Sequence, residues 1–159
     1  MKRLTLTVLC LMLLCLTACG GGDKNATKKA MPSEVFGSME EQVSFPGTMV
    51  RLGDEDLLNT FGFEAGDFED YVYAVCEDGL LAETVVLIRV KDGTDTAPIK
   101  EKLEKYVEEQ TMNYDAYLPE QAKVARQSVV AAKDGNVYLI MSSQVKELKR
   151  IAKDMLGAE

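Results

Sequence analysis

Two rhythms of apolar residues alternate along the chain after residue 33, and each predicts an element. Val35, Met39 and Val43 recur at every fourth position within Glu34–Phe45, which predicts an amphipathic helix ended by Pro46-Gly47. Asp54 to Phe61 predicts a second, short helix, with Asp54 in its first turn and Gly62 past its end. Tyr71–Cys76 and Thr84–Lys91 are dense in valine, isoleucine and tyrosine and read as strands on either side of Glu77-Asp78-Gly79. The helical rhythm returns at Ile99, Leu103, Tyr106, Val107 and Tyr114, with Asp95 or Thr96 as the cap and Pro98 in the first turn. A second strand pair, Ser128–Ala132 and Val137–Met141, flanks Lys133-Asp134-Gly135-Asn136. Ser142 or Ser143 then caps a last helix carrying Val145, Leu148, Ile151, Ala152 and Met155 on one face.

The chain thus repeats a strand–strand–helix unit. Asp-Gly between apolar runs is a hairpin signal because glycine accepts the positive φ of a tight turn, so Gly79 and Gly135 are expected to resist bulky substitution. Two ββα units predict an α+β fold: a four-stranded antiparallel sheet with helices at Pro98–Tyr114 and Gln144–Leu156 packed mainly on one face. Val86, Ile88 and Val90 point to one side, while Arg89 and Lys91 mark the other as wetter. Tyr71–Cys76 is apolar on both sides, so the second face needs a partial cover, for which the Glu34–Phe45 helix is the candidate. If that helix leaves Tyr138 and Ile140 bare, they form an apolar surface of the kind partners use.

The first 19 residues belong to neither rhythm. Lys2-Arg3, the apolar run Leu4–Leu16 and the small Ala18 have the parts of a secretory signal, and Leu16-Thr17-Ala18-Cys19 reads as a lipobox. The run has 13 residues, short of a membrane-spanning helix, which needs ~20. Residues 1–18 are therefore expected to be a lipoprotein signal peptide, cut between Ala18 and Cys19, and residues 19–32 a flexible tether from the lipidated Cys19. Residues 33–159 are expected to form one α+β domain. These expectations place the protein at the outer face of the cytoplasmic membrane, held there through a diacylglyceryl-cysteine.

Charge agrees with an anchor of lipid. The chain has 18 basic and 26 acidic residues, a net charge of −8, and losing Lys2 and Arg3 with the signal would make it −10. So acidic a domain lacks the basic footprint that nucleic acid demands and is repelled by anionic headgroups. Histidine and tryptophan are absent, which removes the usual general base, the usual zinc ligand and every histidine-dependent triad. Cys76 is the only cysteine beyond Cys19, so no internal disulfide supports the domain.

The lipobox, the strand Glu83-Thr84-Val85-Val86-Leu87-Ile88-Arg89-Val90-Lys91-Asp92, the connection Tyr117-Leu118-Pro119-Glu120 and the segment Gly135-Asn136-Val137-Tyr138-Leu139-Ile140 are similar to those of an uncharacterised family. That family comprises small Gram-positive lipoproteins built on a domain of unknown function and common in Clostridia-type bacteria. The resemblance covers roughly residues 33–156 and implies an extracytoplasmic lipoprotein. It brings no activity, ligand or catalytic residue with it.

Candidate chemistry is sparse. Asp54, Glu55, Asp56, Glu64, Asp67, Glu69 and Asp70 put seven carboxylates into 17 residues, hard oxygen ligands suited to calcium. An EF-hand spacing fails, because Leu58 stands where the third ligand should fall; Asp54, Asp56, Asp67 and Asp70 remain as weak metal candidates beside the reading of a solvated acidic loop. Cys76 has no histidine to activate it and reads as a small buried hydrophobe. Glu83 precedes an apolar strand, which allows a half-buried carboxylate, but the wet end of the strand is the commoner place for it; Ser128, Ser142 and Ser143 have no base at a hydrolase spacing. Tyr106, Tyr114 and Tyr117 could line a groove but sit at core spacing.

Two classes of function follow. The favoured one is a non-catalytic binding or structural module of the cell envelope, without a cofactor, whose partner is an envelope protein or glycan. The alternative is a histidine-free hydrolase using paired carboxylates on envelope glycans, which would show as two carboxylates facing each other across a pocket.

Overall fold

The computed structural model describes residues 30–157; the expected signal peptide, Ala18, Cys19 and most of the expected tether lie outside them. Five strands, β1 (Met49–Arg51), β2 (Phe68–Cys76), β3 (Thr84–Val90), β4 (Val129–Lys133) and β5 (Asn136–Met141), form one antiparallel sheet in the order β1-β2-β3-β5-β4. The sheet therefore has five strands, not four. β1 escaped notice because three residues after Pro46-Gly47 are too few to show an alternation.

Among the described residues five α-helices accompany the sheet: α1 (Pro32–Gln42), α2 (Asp54–Phe61), α3 (Ala97–Tyr117), α4 (Pro119–Arg126) and α5 (Val145–Leu156). Pro32 opens α1, and Glu34 Oε2 accepts the Met31 N–H at 2.8 Å. Asp56 does the same for Gly53 at α2, which stops at Gly62 in the left-handed region, φ 65°. Asp95 Oδ1 accepts the Ala97 N–H at the start of α3. Tyr117-Leu118-Pro119-Glu120 is no mere connection: Pro119 ends α3 by opening α4, whose Gln121 Oε1 accepts the Ala82 N–H at 2.9 Å.

The two longer helices lie on opposite faces of the sheet, contrary to the expected single helical face. α1 and α5 pack together on Val72, Ala74, Val85, Leu87, Tyr138 and Ile140. α2, α3 and α4 cover Tyr73, Val86, Ile88, Val90, Val137 and Leu139. Both strand faces are apolar, so each must be buried, and Arg89 marks only the sheet's end and not a wet face. Its guanidinium donates to Asn136 Oδ1 at 2.5 Å and to Ala30 O at 3.3 Å. Ala30 N–H also donates to Met155 O, so the chain is already bonded to the fold two residues before α1, inside the stretch expected to be tether.

Only one of the two hairpins is the expected tight turn. Asp134 and Gly135 both have positive φ, 50° and 77°, as a two-residue type I′ turn requires. Gly79 has no positive φ and lies in a longer loop with open space around it.

Candidate functional site

A bulge in β2 between Phe68 and Asp70 shapes the most distinctive concavity. Side chains alternate along a strand, so the extra residue brings Phe68 onto the same face as Tyr71 and Tyr73. There Phe63 meets Phe68 edge to face at 5.7 Å, and with Ile99 and Pro98 they floor a cleft of 370 Å³. Two ammonium groups stand over this floor. Lys102 Nζ lies 4.8 Å above the Phe63 ring and donates to Gly62 O at 3.2 Å, and Lys91 donates to Gly66 O. Glu64, Asp67 and Asp95 complete the rim, all exposed. An aromatic floor with both signs of charge around it suits an amphipathic group. It contains no nucleophile with a base beside it.

The four metal candidates are put to separate uses. Asp54 accepts the Tyr71 hydroxyl, Asp56 caps α2, Asp70 accepts the Ser33 N–H at 2.8 Å, and Asp67 alone of the four faces the cleft. Among the described residues no three acidic or thiol groups come together to hold a metal ion. Partial burial, the bond to Asp54 and the charges of Asp54 and Asp56 push the Tyr71 hydroxyl up to about 12.

Glu83 is not at a wet strand end: it is 2 % exposed. Its Oε1 accepts the Ser143 N–H at 2.9 Å and the Ser143 hydroxyl at 2.8 Å, while Oε2 has no partner among the described residues. It thus clamps the β5–α5 connection, where Ser142 Oγ accepts the Gln144 N–H. Ser128 donates to Ala125 O, so each of the three serines has a structural partner. Cys76 is 5 % exposed and presses on Gly47, where an added Cβ would lie 2.6 Å from its Sγ.

The tyrosine stripe splits. Tyr106 packs on Phe61 at 5.0 Å, and burial with Tyr73 nearby holds its hydroxyl well above the ordinary value. Tyr114 donates weakly to Leu81 O at 3.5 Å, and Tyr117 is 87 % exposed. Tyr138 and Ile140 are each 0 % exposed beneath α1 and α5. They stand opposite Val86 and Ile88, as the alternation implies, yet the expected bare apolar face is absent because two helices cover it.

Sequence reasoning missed the cleft. The close spacing of Phe61, Phe63 and Phe68 around Gly62 and Gly66 was its one local signal. Lys91 and Lys102 join through the fold alone.

Residues 41–142 match a family described as a domain of unknown function, DUF4358. The chain belongs to that family. The DUF4358 match takes in all five strands and α2 to α4, whereas α5 and most of α1 fall outside it. No curated protein and no solved structure matches the chain.

Proposed function

We propose that this DUF4358 protein is a lipoprotein, lipidated on Cys19 and held at the outer face of the cytoplasmic membrane, where it binds an envelope partner without catalysis. The observation that carries the reading is Leu16-Thr17-Ala18-Cys19 at the end of an apolar run too short to span a bilayer. Among the described residues no helix is long and apolar enough to cross a membrane. The cleft supports binding: an aromatic floor of Phe63 and Phe68 lies open beneath an exposed rim of both charges. Asp95 is also engaged with the Ala97 N–H.

Intact-mass measurement of protein extracted from membranes tests the anchor. The wild-type chain is expected to begin at Cys19 and carry added acyl mass, and Cys19→Ala is expected to leave uncleaved precursor or release the domain. Mature wild-type protein without lipid would refute the anchor. Crosslinking in living cells tests the binder, with a partner recovered from wild type as the expected result. Hydrolysis of isolated cell-wall glycan, lost in an Asp67→Asn variant, would overturn it.

A further inference from the structure

β4 is the outermost strand of the sheet, and its outer edge is unpaired among the described residues. Lys133 and Asn136 flank the two-residue turn, so Lys133, Ala131 and Val129 turn their backbone groups toward β5. Val130 and Ala132 turn theirs outward, two N–H and two C=O groups with no backbone partner among the described residues. A hollow opens on each side of the sheet where this edge begins. On the α3 side, Glu104 and Glu108 stand beside Val107 and Val130. On the α5 side, Lys146 and Lys149 stand beside Val129 and Val145. Glu104 is partly answered by Lys100 along its own helix, but Glu108, Lys146 and Lys149 make no ion pair among the described residues.

We propose that β4 takes on an added strand, an extended peptide whose alternate side chains are basic or apolar toward α3 and acidic toward α5. The proposal rests on the reading of the domain as a binder and names the chemistry of its partner. Side chains of a strand alternate between the two faces of a sheet, so one extended segment presents opposite charges to the two hollows at once. A second copy of the chain fits poorly. Closed pairing of β4 with β4 needs a twofold axis normal to the sheet, which keeps each helix on its own face. Glu104 and Glu108 would then oppose their own copies, and so would Lys146 and Lys149.

The experiment uses the full chain in mild detergent and a fluorescent peptide, Lys-Glu-Val-Glu-Lys-Glu-Val. Fluorescence polarisation is expected to show saturable binding, about ten-fold weaker for an all-acidic peptide of the same length. A peptide N-methylated at alternate residues is expected to lose binding in one of its two registers, because it lacks donors toward the edge. Glu104→Lys with Glu108→Lys makes both hollows basic and is expected to reverse the preference toward the all-acidic peptide. Those charges are exposed, so the fold should survive; thermal melting checks this, and Ala132→Pro, which removes one outward donor, gives an independent loss. Amide exchange at Val130 and Ala132 should slow on adding peptide. Protection at these amides without peptide would mean that the chain itself or a second copy occupies the edge, and would overturn the proposal. Absence of peptide binding would overturn it as well. In that case, a partner still captured in cells would leave the binding function standing and move it elsewhere, whereas no capture would remove both.

Discussion

Replacing Tyr138 by Phe should make the domain more stable, by about 1–2 kcal/mol. The ring is 0 % exposed between the sheet and the α1–α5 pair, and its hydroxyl has no hydrogen-bond partner among the described residues. An unpaired buried hydroxyl costs ~1–3 kcal/mol relative to water. Phe keeps the ring and its packing, opens no cavity larger than the lost oxygen, and removes that cost. With a urea m-value of ~1–3 kcal/mol/M, the unfolding midpoint should rise by roughly 0.3–2 M at unchanged m. The effect should also grow with alkaline pH. Burial raises the Tyr138 hydroxyl above its ordinary value of 10.0, so above that pH the unfolded chain releases a proton that the folded one keeps. Stability from this group is complete below pH 10 and is lost as pH rises toward the folded value, and Phe escapes that loss. Urea titrations followed by circular dichroism at about pH 7 and about pH 11 measure both effects. A midpoint for the Phe variant at or below that of wild type, or a difference between the two that does not widen with pH, would refute the account. Tyr138→Ser should do the opposite and cost ~3–5 kcal/mol by emptying the site.

Gly135→Ala should destabilise by ~1–2 kcal/mol, since φ is 77° there, while Gly79→Ala should be neutral or gain a few tenths; thermal melts of the pair compare them. Gly47→Ala should destabilise by pressing a methyl group against the Cys76 Sγ, and Cys76→Ala in the same chain should recover part of the loss, a non-additivity that a double-mutant cycle reads directly. Glu83→Ala should cost ~1–3 kcal/mol by leaving the Ser143 N–H and hydroxyl unpaired, whereas Glu83→Gln keeps an acceptor and should cost less; equal losses in chemical denaturation would show that charge and not acceptance matters.

Elements that carry their own instructions were legible in the chain. The α2 helix ran from Asp54 to Phe61 as read, because Asp56 and Gly62 supply both of its ends locally. Asp134-Gly135 announced its turn because only a residue tolerant of positive φ fits there. Layering was not legible. Alternation in β3 and β5 correctly set Val86 and Ile88 against Tyr138 and Ile140, but a period of two labels two faces without saying which helix lies on each. That choice is made where β3 leads into α3 and β5 into α5, and by the apolar demand of both faces. The candidate site was hidden for a related reason: its floor depends on a bulge at Glu69, and a strand pattern read in strict alternation puts Phe68 on the wrong side. Glu83 was misplaced because sequence shows a carboxylate's neighbours along the chain and not the serine 60 positions away that receives it.

The pairing of α1 with α5 has a consequence for the order of assembly. Within the sheet β2 meets β3 and β4 meets β5 through hairpins, and β3 meets β5 across the α3–α4 pair. The face carrying Val72, Leu87, Tyr138 and Ile140 is different, since its two covers come from opposite ends of the described chain. Contacts so distant in sequence close late, because the loop entropy of joining them must be overcome first. During synthesis α1 emerges early and can pack on β2 and β3 before the last helix completes the cover over Phe36 and Met39. A chain ended before Val145 would keep α1 on that face and leave bare the part that α5 covers. The same asymmetry makes the α1–α5 seam the first place to yield when the chain is pulled from residue 30, where the Ala30 to Met155 bond takes the load.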